Sequence, residues 1–552
     1  MTQLAVAIDL GTSGFRAQCI NISSGEILST AITTNHPLPG SNIIDHLHFA
    51  LEYGIETAHN IFIDAVNRLI TELCVDTKNI VRLVVCGNPT QLSLFHGTEI
   101  KDLAFAGSRK FESMQIEIPD RDAIIIPAES ITNLNLLNCD VIIPPSICHH
   151  VGADALAMII QTSMLDKEET SISIDFGTNA EIALFHKGKI ITASAAAGPA
   201  LEGQEISCGV LAIPGAIADV EYSKPYFKLT LLDNDLMPVE GSLVDMSGKS
   251  QPVNSNFPKP IGITSTGTIA AMYKAIETGL ISLPRICTAD KRLHFGNNIS
   301  FTEEDLAEAG KAIGAIRAGY LTLCKAAGIS VEDIHTIYMS GAAGTYVDAK
   351  KALQVGMIPP SVKKTYQVGN TSLAMACRLA KNPNDLEFMS SLASKLRDTH
   401  YIFASSDIFK KIFILELSYW TEGMPLSMYR NFLKKYSFPA LPNADGNPEI
   451  IRTVKRDIDD LGLFGLKTIP NIGRIVKRNF DQCTICNVCI DVCPTNALSI
   501  LSESGSISII LNEALCRGVS CKKCEYACSI KIMTLDSFFK IHFDDKTSEE
   551  EI

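Results

Sequence analysis

Near the end of this 552-residue chain, the stretch CTICNVCIDVCP sets Cys483, Cys486, Cys489 and Cys493 in tight succession, with Pro494 behind them. Cys516, Cys521, Cys524 and Cys528 follow as a second set. Thiolates ordered as CxxCxxCxxxCP suit iron–sulfur clusters, because three of the run hold one cluster while the fourth reaches across to another. By that rule one 4Fe-4S cluster takes Cys483, Cys486, Cys489 and Cys528. The other takes Cys493, Cys516, Cys521 and Cys524. The second set has a longer opening spacer, and Ser529 stands where a proline would follow. CxxC pairs also suit tetrahedral zinc, but two quartets exceed what one zinc ion needs.

A different chemistry lies upstream. In AIDLGTSGFRA an apolar strand delivers Asp9 to a turn where Gly11, Thr12, Ser13 and Gly14 present backbone N–H groups and hydroxyls. Small residues let phosphate oxygens approach, and unpaired N–H groups form an anion-binding nest. Asp9 is placed to hold water around a magnesium ion, Mg2+, bridging the phosphates. Taken alone, a strand followed by DxGT is more often just a tight turn. A second copy, IDFGTNAEIALF, puts Asp175, Gly177, Thr178 and Asn179 in the same relation to a strand. A third glycine turn, with Gly341 and Gly344, follows in IHTIYMSGAAGTYVD. The bland reading of Thr12 and Thr178 is that their hydroxyls only cap the turns. His149 and His150 beside Cys148 read as loop residues rather than metal ligands.

These groups need elements to position them. LAVAID and RAQCINIS read as strands around the first turn, and SISID and EIALF repeat the grammar around the second, with a hairpin turn over His186 to Lys189. The duplication points to a duplicated fold. A long helix is expected over 302–327, with Thr302 as N-cap, Glu303, Glu304 and Asp305 in its positive first turn, and Gly328 ending it. Leu306, Ile313, Ile316, Tyr320 and Leu323 keep its apolar face. The stretch 221–260 is strand-like, ends in NSNFPKP, and reads as a β-rich insertion. The segment containing SFPALPNADGNP reads as a connector, and the tail DDKTSEEEI as disordered. Cys86, Cys208 and Cys377 sit among apolar or small residues and are expected to be buried.

At 46% hydrophobic and 20% charged residues, the composition is that of a globular protein. The length exceeds one core and implies about three or four domains. A net charge of −13 argues against nonspecific binding to nucleic acid or an anionic membrane. No basic leader or membrane-spanning run is evident, so a cytoplasmic location is expected, where clustered cysteines bind metals rather than form disulfides.

Three glycine turns in this order resemble the ATPase superfamily of actin, sugar kinases and heat-shock chaperones, in which two ribonuclease-H-like halves close over ATP. That resemblance assigns the first two turns to phosphates and the third to adenosine. It narrows further. ASAAAGPALEGQEISCGVLAIPGAI, IGITSTGTIAAMYKAIETGLI, SGAAGTYVDAKKALQVGMIP, VGNTSLAMACRLA and GNPTQLSLFHG look like the ATP-dependent reductive activators of corrinoid proteins, most closely those serving methylamine methyltransferases in methanogenic archaea. Related activators usually carry a CGSG-like turn where this chain has Thr264, Ser265, Thr266 and Gly267, and many carry a single N-terminal plant-type cluster.

The resemblance implies an α/β fold: a duplicated ribonuclease-H-like ATPase core plus a small α+β C-terminal two-cluster ferredoxin domain. The expected division is a first lobe over 1–150, a second over 151–400, a connector over 401–480 and the ferredoxin-like domain over 481–545. Its expected cofactors are two 4Fe-4S clusters, ATP and Mg2+. Its expected partners are corrinoid proteins of mono-, di- and trimethylamine systems and a low-potential electron donor. In this reading Asp9 and Asp175 organise Mg2+ or the attacking water, and Gly11, Thr12, Ser13, Gly177, Thr178 and Asn179 hold phosphates. Gly341 and Gly344 admit adenosine. The competing readings are a small-molecule kinase of the same ATPase superfamily fused to a ferredoxin domain, and a plain electron carrier.

Overall fold

LAVAIDL forms the strand Leu4–Leu10, buried along its whole length, as a strand covered on both faces must be. It pairs antiparallel with Phe15–Asn21, which pairs antiparallel with Ile27–Thr33, and its other edge runs parallel to Ile80–Gly87. Asp140–Ile143 continues in parallel, and Ile124–Pro127 closes that edge antiparallel. The second half repeats the order: Ser171–Phe176 pairs antiparallel with Asn179–His186, and that strand with Lys189–Ala196. Thr336–Ser340 and Lys364–Gly369 extend the other side in parallel. The duplicated α/β architecture expected from the repeated turn is therefore present, and each DxGT turn links the first two strands of its half.

The computed structural model describes the chain except residues 1–2, 74–75, 106–107, 149–150, 198–199, 201–204, 252–257, 445, 504–505 and 541–552. The His149–His150 pair, the DDKTSEEEI tail and part of NSNFPKP lie outside the described residues.

Helices tie the halves together. Ala153–Gln161 packs against Thr371–Lys381. The 371–381 helix follows a strand of the second sheet, yet it lies on strands 4–10 and 80–87 of the first. The first half thus draws on sequence far beyond residue 150. The expected long helix spans Glu303–Ala327, with Thr302 and Asp305 in a capping box and Gly328 at φ 69°. Ala216–Ser223, Tyr226–Leu232 and Pro238–Asp245 are antiparallel neighbours in a separate five-stranded sheet. Cys86 and Cys377 are buried; Cys208 is only partly so.

The stretch 401–480 is not the connector expected from its loose pattern. Asp407–Trp420 packs on the 303–327 helix and Leu426–Lys435 packs on 407–420. A buried Arg317–Glu416 pair at 2.6 Å, joined by the Tyr429 hydroxyl, fixes that contact. Glu449–Arg452 then adds a parallel edge to the second sheet, and Leu466–Ile469 adds one to the first. Strands of four residues carry too little periodicity to stand out in a sequence.

The cysteine-bearing unit has a three-stranded antiparallel sheet in which Ser506–Asn512 lies between Ile475–Asn479 and Leu498–Glu503. It docks on the first half. Phe539 packs edge-on to Phe49 at 4.9 Å and lies 5.0 Å from Tyr53, both in the helix Ile43–Tyr53. Arg68 Nη1 donates to the carbonyls of Ile472 and Gly473 at 2.9 and 3.1 Å. No described helix is long and apolar enough to cross a membrane.

Candidate active site and cluster sites

The three glycine turns, distant in sequence, line one cleft of about 870 Å³ that opens to solvent. Asp9, Gly11 and Thr12 of the first turn line it together with Asp175, Gly177, Thr178 and Asn179 of the second and Gly341 of the third. Where the first two turns meet, the Ser13 and Thr178 hydroxyl oxygens are 3.4 Å apart. Ser13 is fully buried and joins the two turns rather than lining the cleft.

Each glycine has a distinct reason. A Cβ on Gly11 would lie 2.6 Å from the Gly14 carbonyl oxygen, so the turn closes too tightly for a side chain. Gly341 has φ +76°, and a Cβ there would meet Asp175 Oδ1 at 2.7 Å. Gly344 differs from expectation: its Cβ would strike the Met339 backbone at 2.7 Å, so it permits the short helix Gly341–Tyr346 to lie against the preceding strand. It does not line the cleft.

Several residues that sequence reasoning left unnamed complete the site. Asn88 and Asn370 each cap a helix, with side-chain oxygens accepting from Gln91 N at 3.1 Å and Leu373 N at 2.8 Å. Their amide nitrogens donate instead to the first turn, Asn88 to Thr12 Oγ1 at 3.1 Å and Asn370 to Asp9 Oδ2 at 2.7 Å. The signal was present as an Asn between an apolar strand and a helix in VVCGNPTQ and YQVGNTSL, but capping alone explained it. Thr264, Ser265 and Thr266 also reach the cleft. Thr264 caps its own helix, while the Thr264 and Thr266 hydroxyls donate to Ile217 O and Ala218 O.

Asp154 and Glu181 add carboxylates to the same walls. Burial pushes Asp154 up to about 6, against the backbone N–H groups of Ala155 and Gly152, with Asp9 adding to the rise. Burial likewise pushes Glu181 well above the usual carboxylate range, helped by Asp154 and Asp175. So many carboxyls in a low-dielectric cleft disfavour their own ionisation. A divalent cation would relieve that, so the donor set fits a hard ion such as magnesium.

At the other end of the chain, Cys493, Cys516, Cys521 and Cys524 line one small, partly open cavity. Cys493, the last thiol of the opening run, thus faces the other three. The short helix Val488–Asp491 packs against Lys523–Ala527, just before Cys528. That contact brings Cys528 towards the run holding Cys483, Cys486 and Cys489. Backbone N–H groups of Ala497 and Gly518 donate to the sulfurs of Cys493 and Cys516 at 3.2 and 3.3 Å. Among the described residues, no three His, Cys, Asp or Glu side chains converge on one point as a directly ligated zinc ion requires. Thiols set around a cavity fit a cage-shaped cluster instead.

Comparison with known proteins decides the family. Residues 4–167 match the model of the RACo middle region, 169–430 the C-terminal, ASKHA domain of RACo, and 476–499 a 4Fe-4S binding domain. Over 517 residues, the chain is 43% identical to the "[Co(II) methylated amine-specific corrinoid protein] reductase" of Methanosarcina barkeri, covering 93% of this chain and 95% of that protein. The chain belongs to the family of corrinoid-protein reductive activators. Within that family it is also 26% identical to the corrinoid activation enzyme RamQ of Eubacterium limosum, over 64% of this chain and 60% of that one. A solved reductive activator for a corrinoid, iron–sulfur protein superposes with a TM-score of 0.63 at 24% identity, covering 75% of this chain and 66% of that chain. This likeness concerns the fold; the matched family models give the chain an ASKHA core and a C-terminal 4Fe-4S region.

Proposed function

We propose that this activator couples ATP hydrolysis to the one-electron reduction of inactive Co(II) corrinoid to Co(I) in the corrinoid proteins of mono-, di- and trimethylamine methyltransferase systems, in methanogenesis from methylamines. The observation that carries this reading is the meeting of both DxGT turns at Ser13 and Thr178, in a chain whose cysteine unit docks on the same half as the first turn. A plain electron carrier has no use for such a cleft.

Reduction to Co(I) is uphill for ordinary donors. Since about 59 mV is a tenfold change in a one-electron equilibrium, a gap of a few hundred millivolts needs another free-energy source. Here Asp9 and Asp175 would hold Mg2+ or orient the attacking water, and Gly11, Thr12, Gly177, Thr178 and Asn179 would set the phosphate oxygens, with buried Ser13 bracing the first turn against the second from behind. Gly341 admits adenosine to the backbone, with Gly344 supporting it from behind. Hydrolysis then rests on positioning and charge stabilisation. Two 4Fe-4S clusters, held by the quartets described above, supply one-electron transfer when bound. The electron comes from a low-potential donor, in a cytoplasmic protein with no nucleic-acid or membrane partner.

The test is anaerobic. Iron-loaded protein, a low-potential reductant and a Co(II) methylamine corrinoid protein are followed by visible spectroscopy with and without ATP. Co(I) should form only with ATP, and Asp175→Ala should abolish its formation while cluster absorbance stays unchanged. Equal Co(I) formation without ATP would overturn the coupled mechanism.

A further inference from the structure

GNPTQLSLFHG holds a residue that the ATP site does not use. Gln91 is fully buried three positions after Asn88. Its backbone N–H donates to Asn88 Oδ1 at 3.1 Å, and Asn88 Nδ2 donates to Thr12 Oγ1 in the first turn. Gln91 is therefore tied to the phosphate side through one intermediate residue.

Its side chain faces the other way. The Leu38 N–H donates to His36 Nδ1 at 3.1 Å, which leaves the ring proton on His36 Nε2 to donate to Gln91 Oε1 at 2.9 Å. Gln91 Nε2 in turn donates to His46 Nδ1 at 3.0 Å. The two imidazoles stack at 4.0 Å, and burial holds both below the usual histidine range. His46 Nε2 has no partner among the described residues, so the Gln91 amide is its polar anchor.

From the histidines two arms reach the second cysteine set. His36 begins the loop that runs through Leu38 to Gly40, whose N–H donates to the Cys516 carbonyl at 2.8 Å. Pro39 of this loop also closes on Gly518, where a Cβ would lie 3.2 Å from the proline Cβ. His46 belongs to the 43–53 helix, whose Asp45 accepts a hydrogen bond from the Ser520 hydroxyl. The hydrogen bonds from Thr12 through Asn88 and Gln91 to His36 and His46, continued along the chain to Gly40 and Asp45, thus reach from the cleft to Cys516 and Ser520 beside the cluster cavity.

We propose that Gln91 is a positioning residue that conveys the state of the phosphate turn to the loop around Cys516. This rests on the ATP reading above. A nucleotide engaging Thr12 changes what Asn88 Nδ2 can bond. Gln91 is held at both ends in a close-packed interior, so the displacement passes on to the histidines rather than being absorbed locally.

The full-length, iron-loaded protein tests this with hydrogen exchange over 36–46 and EPR of the reduced clusters, each with and without ATP. In wild type, ATP should change exchange in 36–46 and alter one of the two cluster signals. Gln91→Met keeps the volume and removes both side-chain hydrogen bonds. It should keep basal ATPase and the KM for ATP, lose both ATP-induced changes, and lower ATP-dependent Co(II) reduction about tenfold. Wild-type-sized ATP responses in Gln91→Met would overturn the proposal. If that variant does not fold, the exposed end of the path decides: Ser520→Ala should shrink the ATP-induced EPR change, and an undiminished change would overturn it. Absence of ATPase in the wild type would instead refute the underlying reading.

Discussion

Asn370 Nδ2 donates to Asp9 Oδ2 at 2.7 Å across 361 positions of sequence. One side chain thus caps the 371–381 helix and orients the carboxylate at the mouth of the first turn. Asn370→Ala should cost about 1 kcal/mol through the lost cap and lower ATPase kcat by roughly tenfold or more through misplacement of Asp9. Asn370→Ser separates the two effects, because Ser caps about as well as Asn but is too short to reach Asp9. Its melting temperature should stay near wild type while its ATPase remains low. Full activity in Asn370→Ser would show that this contact is structural only.

The raised carboxyl of Asp154 gives a pH signature. Its folded value of about 6 lies above the ordinary 3.8, so folding favours the protonated form. That stabilisation is full below about pH 4 and is lost as pH rises through about 6. Asp154→Asn stays neutral at every pH and keeps a side-chain oxygen for Gly152 N and Ala155 N, which now donate at 3.2 and 2.8 Å. In the nucleotide-free protein the variant should therefore gain about 1–3 kcal/mol over wild type at about pH 7.5, and little at about pH 4.5. Denaturant melts at the two pH values check this, and an equal difference at both would contradict it.

Gly341 joins the third turn to the second. Gly341→Ala introduces a side chain at φ +76° and pushes it to 2.7 Å from Asp175 Oδ1. The backbone alone should cost about 1–2 kcal/mol, and displacement of Asp175 should weaken Mg-ATP binding measured by calorimetry. Unaltered affinity would mean that Asp175 does not organise the ion.

The cysteine pairing predicts which variants resemble one another. Cys493→Ser and Cys516→Ser should lose the same EPR signal and about half the iron. Cys528→Ser should instead match Cys483→Ser. If Cys493→Ser behaved like Cys483→Ser, each run would ligate its own cluster and the cross-over assignment would fail.

The features legible in the sequence are those written in short, strong patterns. The cysteine quartets announce themselves by spacing, the DxGT turns by an apolar run ending in Asp and Gly, and the 303–327 helix by Thr302, its acidic first turn and Gly328. The stretch 401–480 was misread because its edge strands make sense only beside the sheets they extend. Gly344 was misassigned because a glycine needed for packing reads the same as one needed for a ligand.

By itself the sequence determined which groups exist and which local shapes they take, since turns, caps and ligand runs depend on neighbours a few residues away. Only the tertiary structure decided which groups meet. It set Ser13 against Thr178, Asn370 on Asp9 and Cys493 among Cys516, Cys521 and Cys524. It also turned two capping asparagines into partners of Thr12 and Asp9 in the first turn. The physical reason is that these contacts follow from how two sheets and their shared helices pack, and close packing joins residues whose separation in sequence carries no local signal.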